Sequence, residues 1–214
     1  MRIVTARIIG LVGLAAYNGW VAAVIGGRLS SSNELLSDLE VVGHPYAAAF
    51  SNLDVVAGVL VLVALWLRGR NGPLGIRPEW RWLLAFAVAG IVGGLFPYVC
   101  SEGVSAACRT AEWHFQLPRR HYVHVLAGIV EFAAASVAIG LAWRRTAGRR
   151  DTVGWIVRGI GVVLMVAYPL IAVAYLTDRL GAFVEPLFFI GFSTMVAVEL
   201  FEPAPRTEAA HRRS

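Results

Sequence analysis

WLLAFAVAGIVGGLFPYVCSEGVSAACRTAEWHFQLPRRHYVHVLAGIVEFAAASVAIGLAW, Trp82 to Trp143, decides the fold. Two apolar runs, Trp82–Val99 and His121–Trp143, flank a polar connection. Each run is long enough to cross ~30 Å of hydrocarbon as a helix. Backbone amides in lipid must bond within their own segment, so successive runs of this kind build a helical bundle. The part from Cys100 to Glu131 carries both cysteines, three of the five histidines and a carboxylate inside the second run.

The rest of the chain has the same character. It is 57% hydrophobic and only 15% charged, outside the range of soluble domains. The net charge of +5 comes from arginines in short clusters between apolar runs. A nucleic-acid binder would spread such charge along a helix face or interleave it with aromatics, so nucleic acid is excluded as a partner. All nineteen basic residues are Arg.

Six spans are expected, at about 8–27, 46–67, 82–99, 121–143, 155–176 and 183–201. The first could be a signal peptide by its basic start. Tyr17, Asn18, Gly19 and Trp20 interrupt it where a signal core is most uniform, and this favours a retained span. Residues 28–45 form a polar loop in which a serine could start a short helix. Residues 68–81 read as an Arg-rich turn with Gly and Pro punctuation. Tyr168-Pro169 is a candidate kink in the fifth span. Residues 202–214 read as a polar, disordered cytoplasmic tail.

Fourteen of the nineteen arginines fall on the side of the N-terminus. The positive-inside rule then places both termini in the cytoplasm, with the chain in the plasma (inner) membrane. The expected fold is therefore an all-α membrane protein, an antiparallel six-transmembrane-helix bundle occupying 1–201 as one domain. A short disulfide-bridged extracellular cap, closed by Cys100 and Cys108, would complete it. Oxidation persists in that compartment, whereas a redox pair or metal thiolates would want closer, CxxC-like spacing.

The polar residues inside the apolar runs are the candidates for chemistry. His121 and His124 share a helix face, and Glu131 lies two turns deeper on nearly the same line. Two His are an incomplete zinc set, which His44 or His114 would have to complete from the loops. Asp54, Glu131, Asn18 and Ser193-Thr194 fall at similar depths, about seven to ten residues from the same ends of their spans. They suggest a polar layer in the outer half of the bundle. Interhelical hydrogen bonding would explain Asn, Ser and Thr; intramembrane carboxylates are costly and mark binding or proton chemistry. The candidate ligand- or proton-binding residues are Asp54, Glu131, Asn18 and His44. Glu199 is near enough to its helix end to snorkel and Glu185 is interfacial, so neither joins the set. There is no P-loop, GxSxG or HExxH motif.

LSDLEVVGHPYAAAFSNLDVVAGVL, Leu36 to Leu60, resembles the signature of the bacterial membrane family known as domain of unknown function 998. Phe96-Pro97, the two cysteines and HYVH at 121–124 resemble that family's external segment. The likeness runs over about residues 8–200, with Asp38 where Glu is frequent and His44 where Gln is frequent. It implies a six-span integral membrane protein and no particular reaction.

Three functions follow as expectations. The first is a non-enzymatic envelope protein that binds a membrane lipid or small amphiphile in the polar layer and needs no cofactor. A metal-dependent lipid hydrolase would use zinc on His121 and His124 with a carboxylate as base. In a scaffold for other membrane proteins, the carboxylates would only join helices. Proton-coupled transport stays open on the same carboxylates, without paired repeats to support it.

Overall fold

The computed structural model describes residues 2–27, 35–69, 77–177 and 181–202, and among these there is no strand. Its helices are α1 (Arg2–Tyr17), α2 (Trp20–Ile25), a 3₁₀-helix (Leu36–Glu40), α3 (Ala47–Gly69), α4 (Pro78–Leu95), α5 (Ala106–Trp113), α6 (Arg119–Thr146), α7 (Thr152–Thr177) and α8 (Gly181–Phe201). Among the described residues, five helical stretches are long and apolar enough to cross a membrane: Arg2–Ile25, Ala47–Gly69, Arg119–Thr146, Thr152–Ala174 and Ala182–Phe201. By this length and composition the chain is a multi-pass membrane protein. The third expected span is the exception. It folds as α4, an 18-residue helix that opens Pro78-Glu79-Trp80-Arg81 and is not among the five.

The long helices pack in chain order, α1 on α3, α3 on α4, α4 on α6, α6 on α7 and α7 on α8, and α8 returns to α1. Small residues set how close they come. A Cβ at Gly58 of α3 would stand 2.6 Å from the Ala87 carbonyl oxygen of α4, so only glycine fits there. Inside the ring, α3, α4, α6, α7 and α8 contribute a continuous core that includes Leu65, Phe86, Ala138, Leu164, Phe188 and Phe192. Aromatic edges interlock across it: Tyr17 and Phe192 each pack edge-on to Phe86, at centroid distances of 5.4 and 5.6 Å.

Local chemistry explains the helix ends. The first apolar run breaks between α1 and α2 at Asn18-Gly19, where the Asn18 side chain donates to its own helix at Leu14 O, 2.8 Å away. The Asn18 amide also donates to Ser193 Oγ of α8 at 2.7 Å, so the break is used to join two helices. α4 starts four residues earlier than expected because Pro78 suits the first helical position, and it ends before Phe96-Pro97 because the residue preceding proline disfavours helix. No serine starts the loop helix: Leu35 precedes it, and Asp38 Oδ2 accepts the Leu35 N–H at 2.8 Å. Pro169 lies within α7, and α8 extends back to Gly181, before Pro186. The expected loop before residue 35, the turn at 70–76, the connection at 178–180 and the tail from 203 lie outside the described residues.

One end of the ring is fastened by arginines. Arg145 of α6 reaches Glu79 of α4 at 2.5 Å and Glu199 of α8 at 2.7 Å, and it also pairs with Glu202 at 2.9 Å. Arg77 pairs with Glu199 at 3.0 Å and Glu202 at 2.6 Å, Arg149 pairs with Glu202, and the Trp80 indole donates to Glu199 at 2.7 Å. Glu199 therefore does not snorkel. It is 1% exposed because neighbouring helices bring cations and an indole to it. Burial pushes the Glu202 carboxyl up, but hydrogen bonds from Arg149 and Arg77 with the Arg145 charge outweigh it and hold it below the usual range.

Candidate functional site

The opposite end is held by short contacts among loops. Cys100 and Cys108 form a disulfide with Cα atoms 6.0 Å apart. Ser105 caps α5, its Oγ accepting the Cys108 N–H at 3.2 Å, so bridge and cap fix the same turn. Val42 N–H donates to Tyr98 O at 2.9 Å and ties the segment after the 3₁₀-helix to the one after α4.

His121 and His124 both serve this loop. His124 Nδ1 lies 3.0 Å from Gly93 O and 3.1 Å from Phe96 O; both are acceptors, so this nitrogen carries the proton and donates to the end of α4. His121 Nδ1 accepts the Val99 N–H at 3.5 Å, which leaves Nε2–H facing Glu112 at 3.4 Å. The Tyr98 ring packs on both imidazoles, its centroid 4.0 Å from His124 and 5.1 Å from His121. The pair thus clasps the Phe96–Val99 segment onto α6. Among the described residues no group of three or more His, Cys, Asp or Glu is placed to hold a metal ion. His44 accepts the Tyr46 N–H at 3.3 Å in its own turn, and Asn18 belongs to the α1–α8 bond.

Beneath the loops lies a cavity of about 690 Å³. Asp54 of α3, Glu131 and His124 of α6 all line it, whereas Asn18 and His44 do not. Gly90 and Gly93 of α4 open the room for the two α6 side chains: a Cβ would stand 3.6 Å from Glu131 Oε1 at the first and 4.0 Å from His124 at the second. A smaller pocket continues inward past Tyr17, Asp54 and Glu131 to Ser193. Apolar wall comes from Val125, Ile129, Phe132, Ile171 and Phe189, with Tyr98 and Tyr168 adding hydroxyl-bearing rings.

Four further carboxylates face this space: Glu40, Glu102, Glu112 and Glu185. Glu185 reads as interfacial from its place in the sequence; folded, it is 5% exposed and accepts the Leu36 N–H of the 3₁₀-helix. Glu40 and Glu102 are 5% and 7% exposed, and each has one buried oxygen, Oε2, without a hydrogen-bond partner among the described residues. Burial pushes the Glu102 carboxyl up to about 7, and the Glu112 and Asp38 charges add to this against a hydrogen bond from its own N–H and the Arg109 charge. The Tyr98 phenol is likewise pushed well above its usual value, by burial and by the Glu102 and Asp38 charges. Among the described residues no arginine lines the cavity. Such a space can hold an organic molecule with an apolar body and can exchange hydrogen bonds or a proton with it.

A protein-family model described as "Protein of unknown function (DUF998)" matches residues 9–200, and the chain belongs to that family. No curated protein and no solved structure matches the chain.

Proposed function

We propose that this family member is an antiparallel six-span bundle of the plasma membrane that binds a lipid headgroup or small amphiphile in the cavity beneath its disulfide-tied loops. The observation that carries the reading is the cavity itself: about 690 Å³, apolar-walled and lined by Asp54 of α3 and Glu131 of α6. That volume falls within the usual range for small-molecule sites, roughly 300–1,000 Å³. Placing carboxylates there is costly in a membrane protein, and a ligand or proton partner offsets the cost.

The order of contacts supports the bundle. Gly10 faces Leu200 while Asn18 bonds Ser193, and Gly90 faces Glu131 while Gly93 faces Ala127 and His124, so numbering runs in opposite senses across each pair. α4 completes the set as the sixth span, its Glu79 neutralised by Arg145 at the arginine-rich end. That end is cytoplasmic by the positive-inside rule, which puts the disulfide in an oxidising compartment and both termini inside.

The test is native mass spectrometry of the full chain purified in a neutral detergent. The wild type should retain about one amphiphile per chain, and Glu131→Gln or Asp54→Asn should retain less at unchanged helical content. A wild type released free of any bound amphiphile, together with variants that behave like it, would overturn the proposal.

A further inference from the structure

We infer that the cavity selects a cationic amphiphile, an organic amine or quaternary ammonium carried on an apolar body, and this rests on the amphiphile-binding reading above. The first support is the sign of the walls. Six carboxylates, Glu40, Asp54, Glu102, Glu112, Glu131 and Glu185, line the space beside one histidine, His124, and no arginine among the described residues does. An anionic headgroup would find no arginine there to neutralise it. The chain does not lack arginines to spend on buried acids, since it brings three to Glu202 and two to Glu199 at the other end.

The second support is independent of the number of acids. Glu40 and Glu102 are each more than nine-tenths buried, and in each the Oε2 atom has no hydrogen-bond partner among the described residues. A buried carboxyl oxygen left unpaired costs free energy that a folded chain ordinarily recovers by pairing it. The Glu40 carboxyl still shares a hydrogen bond with Asp54, so Glu102 Oε2 most plainly marks where a donor from outside the chain completes the set. Other acids are already engaged: Glu112 faces His121 at 3.4 Å, and Glu185 accepts from Leu36.

Size and walls decide between a metal ion and an organic cation. About 690 Å³ is far more than a bare ion fills, and no metal-holding group of ligands exists among the described residues. Tyr98, Phe132, Tyr168 and Phe189 instead line it with aromatic rings, a kind of wall that attracts ammonium groups electrostatically and accepts an apolar body by contact. Metal ions would use the carboxylates and leave those rings idle.

The experiment compares three probes that share a decyl chain on the full protein in nanodiscs of neutral lipid: decyltrimethylammonium, decyl sulfate and decyl maltoside, by isothermal titration. Decyltrimethylammonium should bind about one per chain and at least tenfold more tightly than decyl sulfate. In the Glu40→Gln/Glu102→Gln variant its affinity should fall tenfold or more while decyl maltoside is unaffected. Because the three probes on the unmutated chain decide the charge preference by themselves, a variant that fails to fold leaves the test intact. Equal affinity for the cationic and anionic probes would overturn the charge selection and leave the amphiphile site standing; no binding by any decyl probe would overturn both. If phosphatidylethanolamine displaces bound decyltrimethylammonium, the amine is supplied by a membrane lipid. If it does not while the probe still binds, the amine is a free amphiphile, and either result supports the inference.

Discussion

The two ends of this bundle bury the same kind of side chain and treat it in opposite ways. At the arginine end Glu79, Glu199 and Glu202 are met by Arg77, Arg145 and Arg149, at 2.5–3.0 Å in the pairs with Arg77 and Arg145. At the disulfide end Glu40 and Glu102 keep a buried oxygen without a partner among the described residues, beside an open cavity. A buried acid that holds helices together is recognisable by its cations, and one kept for a ligand by their absence. The comparison therefore assigns the arginine end to the fold, and the proposed site lies at the disulfide end.

The largest effect should come from removing one arginine. Arg145→Ala strips three buried carboxylates of a cation at once, and breaking a buried ion pair from one side costs about 3–5 kcal/mol. Unfolding of the full chain in mild detergent should show that loss; a change of less than about 1 kcal/mol, the scale of an exposed pair, would remove the structural half of the comparison. Replacing Cys100 and Cys108 together by Ser should cost about 2–3 kcal/mol on loop-closure grounds. The same substitution should also weaken retention of the amphiphile, since the loop that carries Glu102 and Tyr98 is tied by that bridge.

Acidity separates the ends by sign. Glu102 has a folded value of about 7, above that of a free glutamate at roughly 4.3, so its carboxyl favours folding most below the unfolded value and the benefit is lost as pH rises toward 7. Glu202 is held low, so its contribution is present above the unfolded value and disappears as pH falls through the folded one. Melting curves between pH 4 and 8 should show Glu102→Gln gaining on the wild type as pH rises, on the order of 2 kcal/mol across the window. A parallel pair of curves would contradict the assignment. The smallest effect belongs to Asn18→Ala, which deletes the α1–α8 bond to Ser193 and should cost about 0.6–1 kcal/mol in chemical unfolding, the usual worth of such a bond in a membrane helix pair.

The helices are legible in the sequence because lipid imposes a length and an apolarity on each, and the break at Asn18-Gly19 announces itself as polar residues in an apolar run. The start of α4 falls four residues before the expected one because Pro78 sets it, whereas the apolar stretch alone begins at Trp82. The carboxylate cavity is legible only in part. Asp54 and Glu131 stand out because they lie within apolar runs, but Glu40, Glu102 and Glu112 lie in the polar connections between those runs, where acids are ordinary, and only folding turns them inward. One signal is present: Glu34, Asp38, Glu40, Glu102, Glu112, Asp178 and Glu185 all fall on the arginine-poor side, an imbalance seen only when acids are counted along with arginines. Glu199 cannot be read from depth along its own helix, because its partners Arg77, Trp80 and Arg145 come from α4, the residue before it and α6. The two histidines at i and i+3 suit a metal and a clasp equally well, and the Tyr98 ring that both contact lies outside their helix.

The most direct test of the contrast is a paired measurement of unfolding free energy for Glu102→Gln and Glu199→Gln in the same detergent at pH 8. Glu102→Gln should be as stable as the wild type or more so, because it removes a buried charge whose Oε2 has no partner among the described residues. Glu199→Gln should lose several kcal/mol, on the order of a broken buried ion pair. Equal losses in the two variants would contradict this, and would mean that the carboxylates around the cavity hold the fold as those at the arginine end do.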